Sequence, residues 1–368
     1  HEQRRLDNKT AIARFIWEQG TTAKADIAQS LHLSMPTVLG TVRELIQDGL
    51  VMEKGEYGST GGRKAKRLVI AGGRYISAGV DITAGHVSCV ILDLNGTPVI
   101  SRREARSYCH NEEYYSHVRH LLDECLEAEA GARLLGVGVS LPGIVDPKKD
   151  QLERSHVLCL ENVPLSQLRQ WLGLPSAVFE NDANSAAMAE LYPGGGDAVY
   201  LSLSNSVGGS IYIRDQVYYG SHFRSAEFGH MVIEKGGRRC YCGKEGCADA
   251  YLNAGLLAAY AGSTESFFKA LNAHEPEAQV LWGQYIDALA VLVSNLRMVF
   301  DCDIILGGYV GSYMEDRMAE LGLRLAAYNR FESDLAYVRP CKYKTEAAAA
   351  GIARSFHRKF LSCTDNFL

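Results

Sequence analysis

Three cysteines and a histidine are the residues whose types and spacing point most directly to chemistry. Cys240, Cys242 and Cys247 stand in the string Cys-Tyr-Cys-Gly-Lys-Glu-Gly-Cys, and His230 lies ten residues upstream in Glu-Phe-Gly-His. Three thiolates and one imidazole complete a tetrahedral zinc set and leave no open position, so the metal would be structural, one ion per chain. Gly243 and Gly246 let the loop turn tightly and aim backbone N–H groups at the sulfurs. The plainer alternative is three buried thiols, which the close spacing and the glycines argue against. Spacing alone leaves His230 undecided as the fourth ligand.

A second set of residues suits polyhydroxyl recognition. Asn181 and Asp182, in Glu-Asn-Asp-Ala-Asn-Ser-Ala-Ala, sit where the short strand 177–179 gives way to a helix. Ala183, Ala186 and Ala187 allow that helix to pack closely. Glu227 and His230 are three apart, on the way into the cysteine loop. Carboxylates accept from adjacent hydroxyls, and an amide gives one bond of each kind. If one ring nitrogen of His230 binds zinc, the other can donate to a hydroxyl. Asp182 reads equally well as a helix N-cap, and Glu227 as a surface carboxylate.

These groups need elements to hold them. Residues 8–19 read as a helix, Thr22 as the cap of a second short helix, and Ser34 as the N-cap of a third over 35–48. Val38, Val42, Leu45 and Ile46 form the buried stripe of that third helix, and Gly49 ends it. A hairpin follows, one strand starting at Leu50–Met52 and the other spanning 65–70. Helix, turn, helix and hairpin is the winged helix-turn-helix plan, whose third helix enters the major groove. Ser34, Pro36, Thr37 and Thr41 are expected to face outward. Arg63 and Lys64 ride the glycine-rich hairpin tip, placed to follow phosphates or enter a minor groove. The alternative is a helical docking domain with a solvated turn.

From Tyr75 the pattern changes to strands and helices. Strands are expected at 76–82, 86–93 and 98–103, with Asn95-Gly96 as a hairpin turn, then a helix over 112–130 and a buried strand at 134–140. A second hairpin-first pattern begins near 198, and 303–306 forms a short strand before Gly307-Gly308. Two related α/β lobes with a ligand cleft between them follow. The expected divisions are a head at 1–72, a first lobe at 73–190 completed by a C-terminal helix at 345–368, and a second lobe at 191–344 carrying the cysteine loop.

Composition agrees with a globular protein: 47% hydrophobic and 22% charged residues in 368. No apolar run is long enough to span a membrane, and residues 1–20 carry no apolar leader core. With ten cysteines, three of them clustered like metal ligands, a reducing, cytoplasmic setting is expected, with Cys89, Cys125 and Cys302 as reduced core residues. Residues 1–70 hold 11 Lys and Arg against 8 Asp and Glu, whereas the whole chain has a net charge of −5. A basic head on an acidic body suits a nucleic-acid-binding module on a ligand-binding body.

Taken in order, these segments resemble the ROK family of repressors and sugar kinases over almost the full length. The most specific are Glu227-Phe-Gly-His230 with the cysteine string, Glu180-Asn-Asp-Ala-Asn184, Ser140-Leu-Pro-Gly-Ile-Val-Asp146, Glu161-Asn-Val-Pro-Leu165 and Gly61-Gly-Arg63. The resemblance implies a winged helix before a two-lobed, actin-like, sugar-kinase-like body of ribonuclease H-like topology. It implies zinc on His230, Cys240, Cys242 and Cys247, and a sugar on Asn181, Asp182, Glu227 and His230. Asp249 stands where kinase members have a sugar-binding glutamate, one methylene longer.

In kinase members the residue matching Asp182 is the general base, and two glycine-rich turns cradle ATP phosphates. Here those turns read Asp81-Ile-Thr-Ala-Gly85 and Ser204-Asn-Ser-Val-Gly-Gly-Ser210, with side chains where close approach needs glycine. The expected function is therefore a repressor of carbohydrate-metabolism genes that responds to a sugar or sugar phosphate, not an enzyme. It would bind a double-stranded operator as a homodimer or dimer of dimers. The alternatives are an ATP-dependent sugar kinase fused to a DNA-binding head, and a sensor controlled by a protein partner.

Overall fold

The computed structural model describes residues 2–56, 66–192, 194–332 and 334–362. The chain opens with helices α1 (Glu2–Gln19), α2 (Lys24–Ser30) and α3 (Met35–Gln47), followed by the antiparallel pair β1 (Val51–Glu56) and β2 (Lys66–Ile70). Ser34 caps α3, its Oγ accepting from Thr37 N at 3.3 Å. Gly49 ends the helix at φ +70°, with Gly49 N bonded to Ile46 O and Leu50 N to Leu45 O, a Schellman closure.

Three expectations for this head are corrected. Thr22 does not cap α2; its backbone pairs with Leu68, and Ala23 takes the cap position with its N–H on Asp26. Thr41 is 6% exposed, because three residues after Val38 it falls on the buried stripe of α3. Ile46 is instead 37% exposed and shares the outer side with Leu39 and Arg43. Ser34 and Pro36 face solvent and Thr37 is half-exposed, as expected. Arg63 and Lys64 lie outside the described residues.

The body contains two five-stranded sheets of one design. The first is built from β3 (Tyr75–Ile82), β4 (His86–Asp93), β5 (Pro98–Ala105) and β6 (Arg133–Leu141), with α4 (Glu112–Glu127) crossing between the last two. The small sheet β7 (Ile144–Asp146), β8 (Gln151–Ser155) and β9 (Leu160–Pro164) follows, then α5 (Leu165–Leu172), β10 (Val178–Asn181) and α6 (Asp182–Leu191). The second large sheet begins with β11 (Ala198–Leu203), β12 (Val207–Ile213) and β13 (Gln216–Val217). After the cysteine loop come α7 (Asp249–Leu252), α8 (Ala254–Ala261), α9 (Thr264–Asn272) and α10 (Pro276–Phe300). Then β14 (Asp303–Gly307), α11 (Gly308–Gly311), α12 (Met318–Tyr328), β15 (Val338–Pro340) and α13 (Ala347–Ser362) complete the chain's elements.

Strand order is β10-β6-β3-β4-β5 in one sheet and β15-β14-β11-β12-β13 in the other. In each, an antiparallel meander pairs in parallel with two later strands. The hairpin-first pattern seen twice in the sequence is this shared topology. Strand β3 is buried along its whole length, as a central strand covered on both faces must be.

Small residues let α13 lie on the first sheet and on α6. A Cβ at Gly79 would strike Ala349 O, and one at Gly351 would strike Ser185 O. Arg354 Nη1 then ties α13 to the end of α6 through Ala189 O and Tyr192 O, both at 2.8 Å. The head is joined to this scaffold by a common core. Ile12, Ile16 and Trp17 of α1 pack with Leu68, Tyr75, Leu94, Phe360 and Leu361, and Trp17 Nε1 donates to Leu94 O at 3.0 Å. Among the described residues, no helix is long and apolar enough to cross a membrane.

Candidate functional site

The cysteine loop is shaped by its own backbone. Cys240 N donates to Lys244 O, Gly243 N to Cys240 O, and Gly246 N to Arg238 O. Gly243 and Gly246 adopt φ +91° and +79°, and a Cβ at Gly246 would collide with Glu234 O. A short turn over Phe228–His230 brings the imidazole to the same place. The four ligand atoms of His230, Cys240, Cys242 and Cys247 all lie within 4.8 Å of one another. His230 Nδ1 is 3.8 Å from Cys240 Sγ, and the sulfurs of Cys242 and Cys247 are 3.7 Å apart. Zinc bonds of about 2.0–2.3 Å give tetrahedral edges of about 3.3–3.8 Å, so these two separations match a zinc set, and 3.7 Å is too long for a Cys242–Cys247 disulfide at about 2.05 Å. Burial and the adjacent thiols push Cys247 up to about 12. A bound cation would favour the thiolate forms of these cysteines.

The other nitrogen of His230 faces away from the sulfurs. Nε2 lies 3.3 Å from the Tyr241 hydroxyl, on the wall of a cavity of about 580 Å³. Asn181, Asp182, Glu227 and His230 all line this cavity. Asn181, not Asp182, caps α6: its Oδ1 accepts from Asn184 N at 3.0 Å, and its Nδ2 donates to Gly143 O at 2.9 Å. Burial raises the Asp182 carboxyl to about 6, partly opposed by amide bonds at the helix start. Glu227 is solvent-accessible, but the concave walls around it hold its carboxyl above the ordinary range.

Several lining residues were not singled out from sequence. Glu180 forms the floor, accepting from Asn181 N, Asn184 Nδ2 and the Tyr219 hydroxyl at 2.7–3.0 Å. Tyr241 stands edge-on to both His156 and His230 and offers an exposed aromatic face. Glu180 belongs to a motif that was read, but its neighbours Asn181 and Asp182 looked better placed for a ligand. Tyr219 and His156 carry no spacing signal, since only the fold brings them in.

Asp249 is corrected. It is buried, it does not line the cavity, and its Oδ1 accepts from Val207 N at 2.6 Å. With one methylene fewer than glutamate, it stops at the backbone of the second glycine-rich turn.

A second chamber of about 450 Å³ adjoins the first and shares Pro142, Val157, Asp182 and Ser206 with it. It lies between the turn after β3 and the ends of β11 and β14. The Thr83 Oγ1 accepts from Gly85 N and His86 N at 3.4 and 3.1 Å, so the amides of this turn point onto a side chain. Arg103 reaches Glu346 at 3.1 Å and His86 Nδ1 at 3.3 Å. Burial, with the Asp182 charge adding to it, raises Asp81 to about 7.

A model described as the ROK family matches residues 77–359. The chain belongs to the ROK family. A putative xylose repressor of Caldicellulosiruptor sp. (strain Rt8B.4) is 26% identical over 374 residues, covering 94% of each chain. The xylose repressor of Bacillus subtilis is 26% identical over 258 residues, 66% of this chain and 65% of that one. The DNA-binding transcriptional dual regulator NagC of Escherichia coli K12 is 25% identical over 66% of this chain and 61% of its own length. Among solved structures, a ROK transcriptional regulator homologous to the E. coli MLC protein superposes with a TM-score of 0.75 at 19% identity, covering 99% of this chain and 98% of that one. A ROK hexokinase from Thermus thermophilus gives 0.62 at 25% identity, covering 98% of the kinase but 77% of this chain. The kinase-like body and the added head of this ROK protein are thus both accounted for by known folds.

Proposed function

We propose that this ROK protein is a sugar-responsive transcriptional repressor of carbohydrate-metabolism genes, binding a double-stranded operator through α3 and the wing. The observation that carries this reading is the combination of a polar sugar-type cavity with two phosphate-type turns in which the Gly85, His86 and Val207 amides already bond to side chains. Gly85 N and His86 N bond to Thr83, and Val207 N bonds to Asp249. Phosphate cradles need such amides free. The ATP-dependent sugar kinase alternative is disfavoured for the same reason. The relatives named xylose repressor and N-acetylglucosamine repressor support the same reading.

In this reading Asn181, Asp182, Glu227 and His230 contact the sugar, with Glu180 and Tyr241 added and Asp249 acting behind the wall. His230, Cys240, Cys242 and Cys247 would hold one structural zinc, which fixes the His230 ring while Nε2 faces the cavity. Ser34, Pro36, Thr37 and Arg43 form the outer side of the recognition helix, and Arg63 and Lys64, which lie between β1 and β2 in the sequence, would add contacts to the DNA. The divisions at 1–72, 73–190 with 345–368, and 191–344 serve as head and two lobes. Sugar closes the lobes. The shared core of Trp17, Leu94 and Phe360 carries that change to the head, altering how two heads of a homodimer engage their half-sites.

The test is operator binding by fluorescence anisotropy with and without sugars, beside a coupled phosphorylation assay with ATP. Sugar-dependent operator affinity without turnover is expected. Robust turnover would establish the kinase alternative, and operator binding indifferent to every sugar would favour control by a protein partner.

A further inference from the structure

The two chambers adjoin, with Asp182 among the four residues that line both. Each alone lies in the range of about 300–1,000 Å³ that encloses a drug-sized ligand, so a single pyranose ring leaves the second chamber empty. The second chamber must therefore be matched to a ligand by its own chemistry.

Its charges argue against an anion. Four Lys or Arg side chains line the two chambers, and each has a carboxylate partner. Arg103 pairs with Glu346 at 3.1 Å, Arg224 with Glu153 at 2.9 Å, Lys344 with Glu315 at 2.8 Å, and Arg154 with Glu161. A phosphate would meet no uncompensated cation, and the Gly85, His86 and Val207 amides that might replace one already bond to side chains. It would also approach the carboxyls of Asp81 and Asp182, both of which line this chamber. The lining otherwise offers hydroxyls and rings, among them Thr83, Ser202, Ser204, Tyr309 and Tyr313. Asp81 Oδ1 is buried there without a hydrogen-bond partner. Hydroxyl donors and acceptors beside aromatic faces suit another neutral sugar ring.

We propose that the effector is an uncharged carbohydrate of at least two rings, one against Glu227 and His230, the next passing Asp182 into the chamber between Asp81 and Tyr309. This rests on the sugar-cleft reading above and names the ligand class within it. A disaccharide gains contacts in the second chamber that its monosaccharide cannot reach.

Isothermal titration of the full-length, zinc-loaded protein tests this with matched pairs: xylose and xylobiose, glucose and cellobiose, N-acetylglucosamine and chitobiose. Glucose 6-phosphate, N-acetylglucosamine 6-phosphate and Mg-ADP complete the set. At least one disaccharide should bind about tenfold or more tighter than its own monosaccharide. Ala84→Trp and Ser312→Trp fill the second chamber from opposite walls. Both should bring the disaccharide down to the monosaccharide level and leave monosaccharide affinity unchanged. Equal affinity of the members of every pair overturns the proposal, as does tighter binding of a 6-phosphate or of Mg-ADP. In those cases monosaccharide binding would still leave the sugar-cleft reading standing. Failure of every sugar, single or double, overturns that reading itself.

Discussion

The Asp249 carboxylate accepts the backbone N–H of Val207 at 2.6 Å, closing the second glycine-rich turn from behind. The bond joins the start of α7, just after Cys247, to the start of β12. It thereby couples the metal loop to the turn at the cleft.

Asp249→Ala should leave the Val207 amide buried and unpaired, costing about 1–3 kcal/mol. Asp249→Asn keeps an acceptor and should cost less. Urea denaturation of both variants measures the difference. Equal and negligible losses would mean the bond contributes nothing. Neither variant should gain sugar phosphorylation, because Thr83 still holds the first turn.

Asp81 gives a pH signature. Its carboxyl is raised to about 7 by burial and by Asp182, with Glu346 adding to the rise and Ser140 and Arg103 opposing it. Between the ordinary carboxylate range and pH 7 the folded state binds a proton that the unfolded chain has lost. Stability from this group is therefore present at low pH and declines as pH rises through about 7. Asp81→Asn removes the decline. Its stability relative to the unchanged protein should grow from pH 5 to pH 8, as followed by chemical denaturation in matched buffers. A constant difference across that range would contradict the assignment. The comparison cancels His357, whose neutral burial has the opposite pH dependence.

Much of the fold was legible in sequence, for reasons that particular residues make clear. Ser34 and Gly49 act locally, so the limits of α3 followed from cap chemistry alone. The doubled hairpin pattern was equally local. Thr41 was misplaced because a small polar residue three positions from Val38 can lie on either edge of a buried stripe, and packing against α1 and α2 decides. Thr22 was misplaced because its backbone is claimed by Leu68, a partner far along the chain. In the cleft, motif residues were visible but Tyr219, Tyr241 and His156 were not. The link between Trp17 and Leu94 also had no signature, since it depends on two elements meeting only in the fold.

The corrected helix face separates two kinds of head variant. Arg43→Ala should weaken operator binding several-fold, without changing sugar affinity, and should flatten the salt dependence if Arg43 meets a phosphate. Thr41→Arg should instead lower thermal stability, because it buries a charge in the core of the head. Anisotropy titrations at several salt concentrations, paired with melting curves, distinguish them. Normal stability of Thr41→Arg would return Thr41 to the outer face.

Metal removal supplies a further check. A mercurial reagent with a colorimetric zinc indicator should release about one zinc per chain, the number a single closed site holds. Cys247→Ser should abolish that release, lower the melting temperature and weaken sugar binding with it. Sugar affinity unchanged after complete release would separate the metal loop from the cleft.

The most direct test of the central claim is the operator dissociation constant measured across a sugar titration, using an operator fragment selected by the protein from random DNA. The account predicts a shift of about tenfold or more for the intact protein. It predicts no shift for Glu227→Ala, whose operator affinity without sugar stays normal. An operator constant that no sugar moves, in protein that phosphorylates a sugar with ATP, would contradict it.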